Sequence, residues 1–378
     1  MKLISFIVLF LFVTQAGAQT YYTTINSSNL EQNVRLKVQL PRNYKTNTHK
    51  RYPLVLTLDG SYLFEPVAGN VDFLSYWEEM PESIVVGIIH NNRNKETLYG
   101  EKNYLPILQG AGFFDFVGGE LLPWLDSQYR IAPFNVIVGH DITANFLNFF
   151  LLKERPLFDA YISLSPELAP EMTERIPYAI QQLRQNIMYY QATSSSDVPE
   201  LREDILKLNE NLTALQNDSF YYSFSDFEKA THYTLVSRAI PQGLSYIFSA
   251  YSPINNREFH DDLLTIKESP YSYLKKKIKI VEELYGIEGQ TSSNDFIAVA
   301  DALYRRQDWS GLASLGKLGQ EIYPDKVMGS YYLGISHHAQ GNDRRALRIL
   351  KNAMVLEEFA NITKNMIIAR CRLIEGDD

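Results

Sequence analysis

Gly139-His140-Asp141-Ile142-Thr143-Ala144 joins an apolar run, Phe134 to Val138, to a helix-forming stretch, Ile142 to Lys153. The order reads as strand, tight turn, helix, and the turn carries Asp141 with Thr143 two residues on. What the rest of the chain builds around this elbow decides how it is read.

On either side of the elbow lie short, nearly continuous apolar runs. They are Pro53 to Leu58, Ser83 to Ile89, Phe158 to Leu164, Ile187 to Ala192 and Phe220 to Phe224. Runs of this kind fit strands covered on both faces, as in parallel sheets. Helical patterns separate most of them, at Phe113 to Tyr129, Leu201 to Leu215 and Leu235 to Tyr251. The alternation predicts a mostly parallel sheet with helices on both faces. Two earlier segments, Tyr21 to Ser27 and Val34 to Leu40, alternate apolar with polar residues and predict an antiparallel pair at the start of the sheet.

The 378 residues suffice for one large domain and a smaller one, and 45% hydrophobic residues predict a sizeable core. A net charge of −8 argues against nucleic acid as a partner, since phosphate backbones need basic patches. The first residues carry the marks of export. Lys2 precedes the unbroken apolar run Leu3 to Val13, and Ala16-Gly17-Ala18 offers small residues for cleavage before Gln19. The expectation is a signal peptide over 1–18, a mature chain without a membrane span, and a periplasmic or secreted destination. The single cysteine, Cys371, rules out an internal disulfide.

Beyond Tyr251 the strand patterns stop, so the boundary is placed at 255, with a main domain over 19–255 and a helical region over 256–378. Asp308-Trp309-Ser310-Gly311-Leu312 and Asp343-Arg344-Arg345-Ala346-Leu347 repeat 35 residues apart, and tetratricopeptide hairpins repeat at about 34. Tyr332-Leu333-Gly334, His338-Ala339-Gln340-Gly341-Asn342 and Ala346-Leu347 resemble that motif, and Tyr323-Pro324-Asp325 ends the preceding unit. Two units form only a partial array, which must lean on the main domain or on flanking helices.

From about Leu54 to Tyr251 the chain resembles the putative-esterase (esterase D-like) branch of the α/β-hydrolase superfamily. The resemblance rests on Leu58-Asp59-Gly60 ending a strand, Val85-Val86-Gly87-Ile88 followed by Asn92-Arg93, and Gly139-His140-Asp141. It continues through the run Phe158 to Pro166 and Thr231-His232-Tyr233-Thr234-Leu235-Val236 before Gly243-Leu244. It implies an α/β-hydrolase fold followed by a small all-α region. At the elbow, where the pattern is G-x-S-x-G, it implies a nucleophilic serine at position 141. It also implies a base at His232 and an acid between them, with Asp197 the first candidate and Glu200 the second. Asp197 could equally be a helix cap ahead of Pro199. The oxyanion hole would take the N–H of Ile142 and one near Ser61 or Tyr62, although Asp59-Gly60-Ser61 also reads as a plain turn. Arg93 matches a family position that could face the site.

Asp141 changes the chemistry. A carboxylate offers His232 no proton to take at neutral pH, and its attack on an ester would give an anhydride less stable than the ester. Its charge would also oppose that of a developing oxyanion. The reading is therefore an exported esterase homologue with a degenerate site that binds a small ester-like ligand, without metal or cofactor. Three alternatives stand beside it. Asp141 could be a covalent nucleophile at saturated carbon, as in epoxide and haloalkane hydrolases. Asp141 and His232 could act as general acid and base with no covalent step. The helical tail could carry function by binding a protein partner. Thr143 at the glycine position predicts a crowded turn. His260-Asp261-Asp262 reads as a solvated helix start rather than a metal cluster, and Asn211-Leu212-Thr213 as a glycosylation-type triplet.

Overall fold

The computed structural model describes residues 20–289 and 291–376, so the expected signal peptide lies outside the described residues. Eight strands form one sheet: β1 (Thr20–Ser27), β2 (Gln32–Gln39), β3 (Tyr52–Thr57), β4 (Ile84–Ile89), β5 (Ile131–His140), β6 (Ala160–Leu164), β7 (Ile187–Ser196) and β8 (Phe220–Thr231). Their order is β1-β2-β4-β3-β5-β6-β7-β8. β1 pairs antiparallel with β2, and β2 antiparallel with β4; every other pairing is parallel. This is the mostly parallel, helix-flanked α/β-hydrolase fold.

Between the strands lie α1 (Phe64–Tyr76), a single turn α2 (Arg93–Glu96), α3 (Gln109–Asp115), α4 (Leu122–Gln128), α5 (Ile142–Leu151), α6 (Met172–Gln181) and α7 (Pro199–Thr213), and α8 (Thr234–Ile247) follows β8. A π-helical turn, Phe116–Leu121, fuses α3 to α4. Successive strand residues point to opposite faces. Ile137, Tyr161 and Tyr189 therefore pack on one side with Phe113, Phe146, Phe150 and Leu208, while Val138, Ile162 and Tyr190 pack on the other with Val67, Leu235 and Leu244.

Two helices were not evident in the sequence. The apolar residues of α1 are interrupted by Pro66 and Gly69. α6 carries Pro177 in its interior, which removes the hydrogen bond that the Thr173 carbonyl would accept. Asn211 Nδ2 fills that vacancy by donating to Thr173 O at 2.8 Å. The glycosylation-type asparagine thus lies in α7 with its amide engaged in packing.

After a short turn α9 (Asn256–Glu258) come α10 (Pro270–Tyr285), α11 (Ser293–Arg305), α12 (Trp309–Ile322), α13 (Val327–Ala339), α14 (Asp343–Asn352) and α15 (Lys364–Glu375). They share a third core around Leu274, Phe296, Leu315, Tyr332 and Leu350. The seam with the sheet is apolar. Tyr285, at the end of α10, packs edge-on against Phe134 with ring centroids 4.9 Å apart, also contacts Phe248, and donates to Ile247 O at 2.7 Å. The Glu78 carboxylate accepts from Ser292 Oγ, Ser293 Oγ and the Ser293 N–H at 2.8–2.9 Å, which ties the start of α11 to the main domain.

Candidate functional site

Six residues reach one place from the loops that follow the C-terminal ends of six parallel strands. They are Asp59 after β3, Arg93 after β4, Asp141 after β5, Ser165 after β6, Asp197 at the end of β7 and His232 after β8. Ligand sites in open α/β sheets form at this end of the strands.

The elbow is built as the sequence implies. Asp141 sits at φ 62°, ψ −125°, and its N–H donates to Leu164 O at 3.1 Å. A non-glycine residue held there stores strain of about 1–3 kcal/mol, which the surrounding structure must sustain. Strand and helix meet at Gly139, where a Cβ would lie 2.6 Å from the Thr143 carbonyl oxygen. The expected crowding at Thr143 does not occur. Its side chain turns inward: Oγ1 accepts from the His140 N–H at 3.0 Å and lies 2.5 Å from Asp59 Oδ2.

His232 and Asp197 form a closed pair, with His232 Nδ1 2.9 Å from Asp197 Oδ1. The other carboxylate oxygen accepts from Ser165 Oγ at 2.6 Å and Thr193 Oγ1 at 2.8 Å. Burial alone would raise the Asp197 pKa. The hydrogen bonds from His232, Ser165, Thr193 and the Val198 N–H outweigh it and hold the carboxyl at about 2. Glu200 is exposed in the first turn of α7. Asp197 is therefore the acid that meets His232. The capping role does not hold, since Val198 occupies the N-cap of α7 with no side-chain cap bond.

Asp141 faces two partners. Its Oδ1 lies 3.9 Å from His232 Nε2, beyond hydrogen-bond range, and Arg93 Nη1 donates to its Oδ2 at 3.0 Å. Arg93 also donates from Nε to Asp59 Oδ1 at 2.7 Å, and from Nη2 to Asp59 Oδ2 at 3.2 Å and to His140 O at 2.9 Å. The guanidinium thus links the elbow to the end of β3. Its own position is set by α2. Asn92 Oδ1 caps the turn by accepting from the Lys95 N–H, and the buried Glu96 accepts from Gln32 Nε2 and pairs with His90 Nδ1 at 2.6 Å. Asp59, 1% exposed, is therefore no plain turn residue: it accepts from Arg93 twice, from Thr143 and from Tyr62.

His140 is also enclosed. The Tyr62 hydroxyl lies 3.0 Å from its Nδ1, and its Nε2 donates to His232 O at 3.1 Å. Burial, and then the nearby His232 ring, lower its pKa to about 4. Of the two amides expected near the oxyanion position, that of Tyr62 already donates to Asp59 O at 3.3 Å, whereas that of Ser61 has no acceptor among the described residues. The Ile142 N–H opens α5 and has no acceptor within the helix. Glu167 stands close by: its N–H donates to Asp141 O at 3.2 Å, and burial followed by the charge of Asp141 raises its carboxyl pKa.

Sequence reading missed Asp59, Thr143, Ser165 and Glu167 as members of this site. Asp59 carried one signal, an acid closing an apolar strand; the others depend on pairings between distant segments. Among the described residues no cluster of three or more His, Cys, Asp or Glu is placed to hold a metal ion. His260-Asp261-Asp262 falls on a π-helical turn, Phe259–Leu263.

A family model described as putative esterase matches residues 27–222, more than half of the chain. No curated protein matches the chain. Among solved structures, an uncharacterised protein from Capnocytophaga ochracea is similar at 26% identity and a TM-score of 0.80, with 95% of this chain and 100% of that chain covered. An IroE-like serine hydrolase from Shewanella oneidensis is similar at 20% identity and a TM-score of 0.64, with 80% and 99% covered. The BES protein from Bacillus cereus follows at 16% identity and a TM-score of 0.54, with 65% and 97% covered.

Proposed function

We propose a function from one premise: the chain belongs to the putative-esterase family. Its cleft is a binding site for a small ester-like ligand in a hydrolase scaffold that has lost the covalent step. One observation carries this reading. The side chain raised at the elbow is a carboxylate with one oxygen held by Arg93 at 3.0 Å, in front of an otherwise complete histidine–aspartate pair. A serine there would give His232 Nε2 a proton to accept and an oxygen to activate. Asp141 gives neither, and Arg93 draws charge from the oxygen it binds.

Asp141→Ser tests this. The wild-type chain is expected to leave p-nitrophenyl acetate unhydrolysed above background. The variant should gain hydrolysis by about a hundredfold or more, the scale of restored acid–base catalysis, and His232→Ala in that variant should remove the gain. Wild-type hydrolysis at enzyme-like rates that is lost in His232→Ala would refute the proposal.

A second reading has its own support. His232 faces the oxygen of Asp141 that Arg93 leaves free, an arrangement from which an imidazole can drive water onto an alkyl-ester intermediate. Against it stand the Arg93 bond and the short connection between β6 and β7, which holds only α6. Single turnover of an epoxide or alkyl halide in heavy-oxygen water decides the matter, because a covalent Asp141 would acquire label in its carboxylate.

Export and the tail belong to the same proposal. Lys2, the run Leu3 to Val13 and Ala16-Gly17-Ala18 support a cleaved signal, so a secreted preparation should begin at Gln19. No described helix is long and apolar enough to cross a membrane. The 35-residue spacing supports tetratricopeptide-like units as a partner surface. Charge reversal at Arg344 and Arg348, exposed on α14, should then weaken partner binding and leave cleft binding intact.

A further inference from the structure

We infer that the cleft recognises its ligand through a primary ammonium group held between His232 Nε2 and Asp141 Oδ1, which deepens, and rests on, the reading of the cleft as a binding site. His232 Nδ1 faces two oxygens, Asp197 Oδ1 and Ser165 Oγ, each at 2.9 Å. The Ser165 hydroxyl donates its hydrogen to Asp197 Oδ2, so it offers the ring a lone pair. An ionised carboxylate only accepts. A ring hydrogen therefore belongs on Nδ1, and the tautomer this fixes presents its lone pair at Nε2.

Ser165 holds this arrangement at some cost. It is fully buried and sits at φ 43°, a region that glycine enters freely and serine does not. The strain is explained by the hydroxyl, which touches both members of the pair.

Opposite Nε2, 3.9 Å away, lies Asp141 Oδ1, whose sister oxygen is bound to Arg93. Neither Nε2 nor Oδ1 has a hydrogen-bond donor among the described residues. Two acceptors at this separation are complementary to one atom that carries at least two hydrogens. An ester oxygen carries none and a hydroxyl one. An ammonium carries three, with a charge that Asp141 favours. The free amide of Ser61 remains for a carbonyl oxygen, so the fitting ligand is an amino-bearing ester or amide.

Isothermal titration of the full chain with three esters tests this. The probes are β-alanine ethyl ester, its trimethylammonium analogue, which keeps the charge and has no N–H, and ethyl butanoate, which lacks both. The first should bind about tenfold or more tighter than either other, the scale of a charge-assisted hydrogen bond. The preference should vanish in His232→Phe and in Asp141→Ala. Equal affinity for all three esters overturns the ammonium inference and leaves the cleft as a binding site. A preference that persists in both variants overturns it by placing recognition elsewhere. No binding of any ester, together with no gain of hydrolysis in Asp141→Ser, removes the underlying reading as well.

Discussion

Arg93→Leu is the substitution that most directly probes how the site is held together. The guanidinium makes two bonds to Asp59 and one each to Asp141, His140 O and the Tyr62 hydroxyl, and its side chain is 28% exposed. Without it, Asp59 keeps the hydrogen bonds from Thr143 Oγ1 and the Tyr62 hydroxyl, with His90 Nε2 3.9 Å away, while remaining 1% exposed. Removing one partner of a buried pair costs about 3–5 kcal/mol, chiefly because the other charge is left uncompensated. The partial exposure of Arg93 places the expectation near the lower end, about 3 kcal/mol. Urea unfolding followed by circular dichroism should show the midpoint fall with little change in slope. If the orphaned charge is the cause, Asp59→Asn in the Arg93→Leu chain should return about half of the loss. A loss below about 1 kcal/mol, or a further loss on adding Asp59→Asn, would refute the claim that Arg93 compensates Asp59.

Other outcomes follow from the same geometry. Gly139→Ala should destabilise by roughly 1–3 kcal/mol, because the added Cβ meets the backbone of Thr143 and Ala144 at 2.6–2.8 Å and nothing nearby is a flexible side-chain end; a thermal melt unchanged from wild type would show that the elbow can open. Acid should reveal two opposed groups. His140, lowered to about 4, contributes stability that is present above its unfolded value of about 6.5 and is lost as pH falls toward 4, about 3 kcal/mol in all. Asp159, raised to about 6 by burial, contributes stability that is present below about 3.9 and is lost as pH rises through 6, again about 3 kcal/mol. The two nearly cancel, so Asp159→Asn should steepen the loss between pH 6.5 and 4 in urea titrations. An unaltered pH profile would mean that Asp159 is not held protonated by burial, and a profile in Asp159→Asn that stays flat between pH 6.5 and 4 would mean that His140 is not held neutral.

The frame of the sheet was legible because its strands are short apolar runs whose period and order leave few arrangements. β8 was only half seen: Phe220 to Phe224 reads as a strand, but Ser225 to Thr231 is polar because it lies at the edge of the sheet with much of its surface open. The elbow and His232 were legible through their strand–turn–helix setting, and Asp197 only as the nearest acid after β7. The Asp59–Arg93–Asp141 chain was not, since its meaning depends on side chains 34 and 48 residues apart meeting at one guanidinium. Ser165 was hidden for a related reason: nothing in Leu164-Ser165-Pro166 announces a left-handed serine whose hydroxyl lies against two residues from later strands.

Tyr285 has a consequence for how this chain can be cut or recombined. A helical appendage that plugs an aromatic ring into the interior of its neighbour does not travel as a free cassette. Ending the protein ahead of α10 would leave Phe134 and Phe248 bare to water, and grafting the tail onto another hydrolase would require a matching socket. Calorimetry should accordingly record a single endotherm, with sheet and tail melting as one unit.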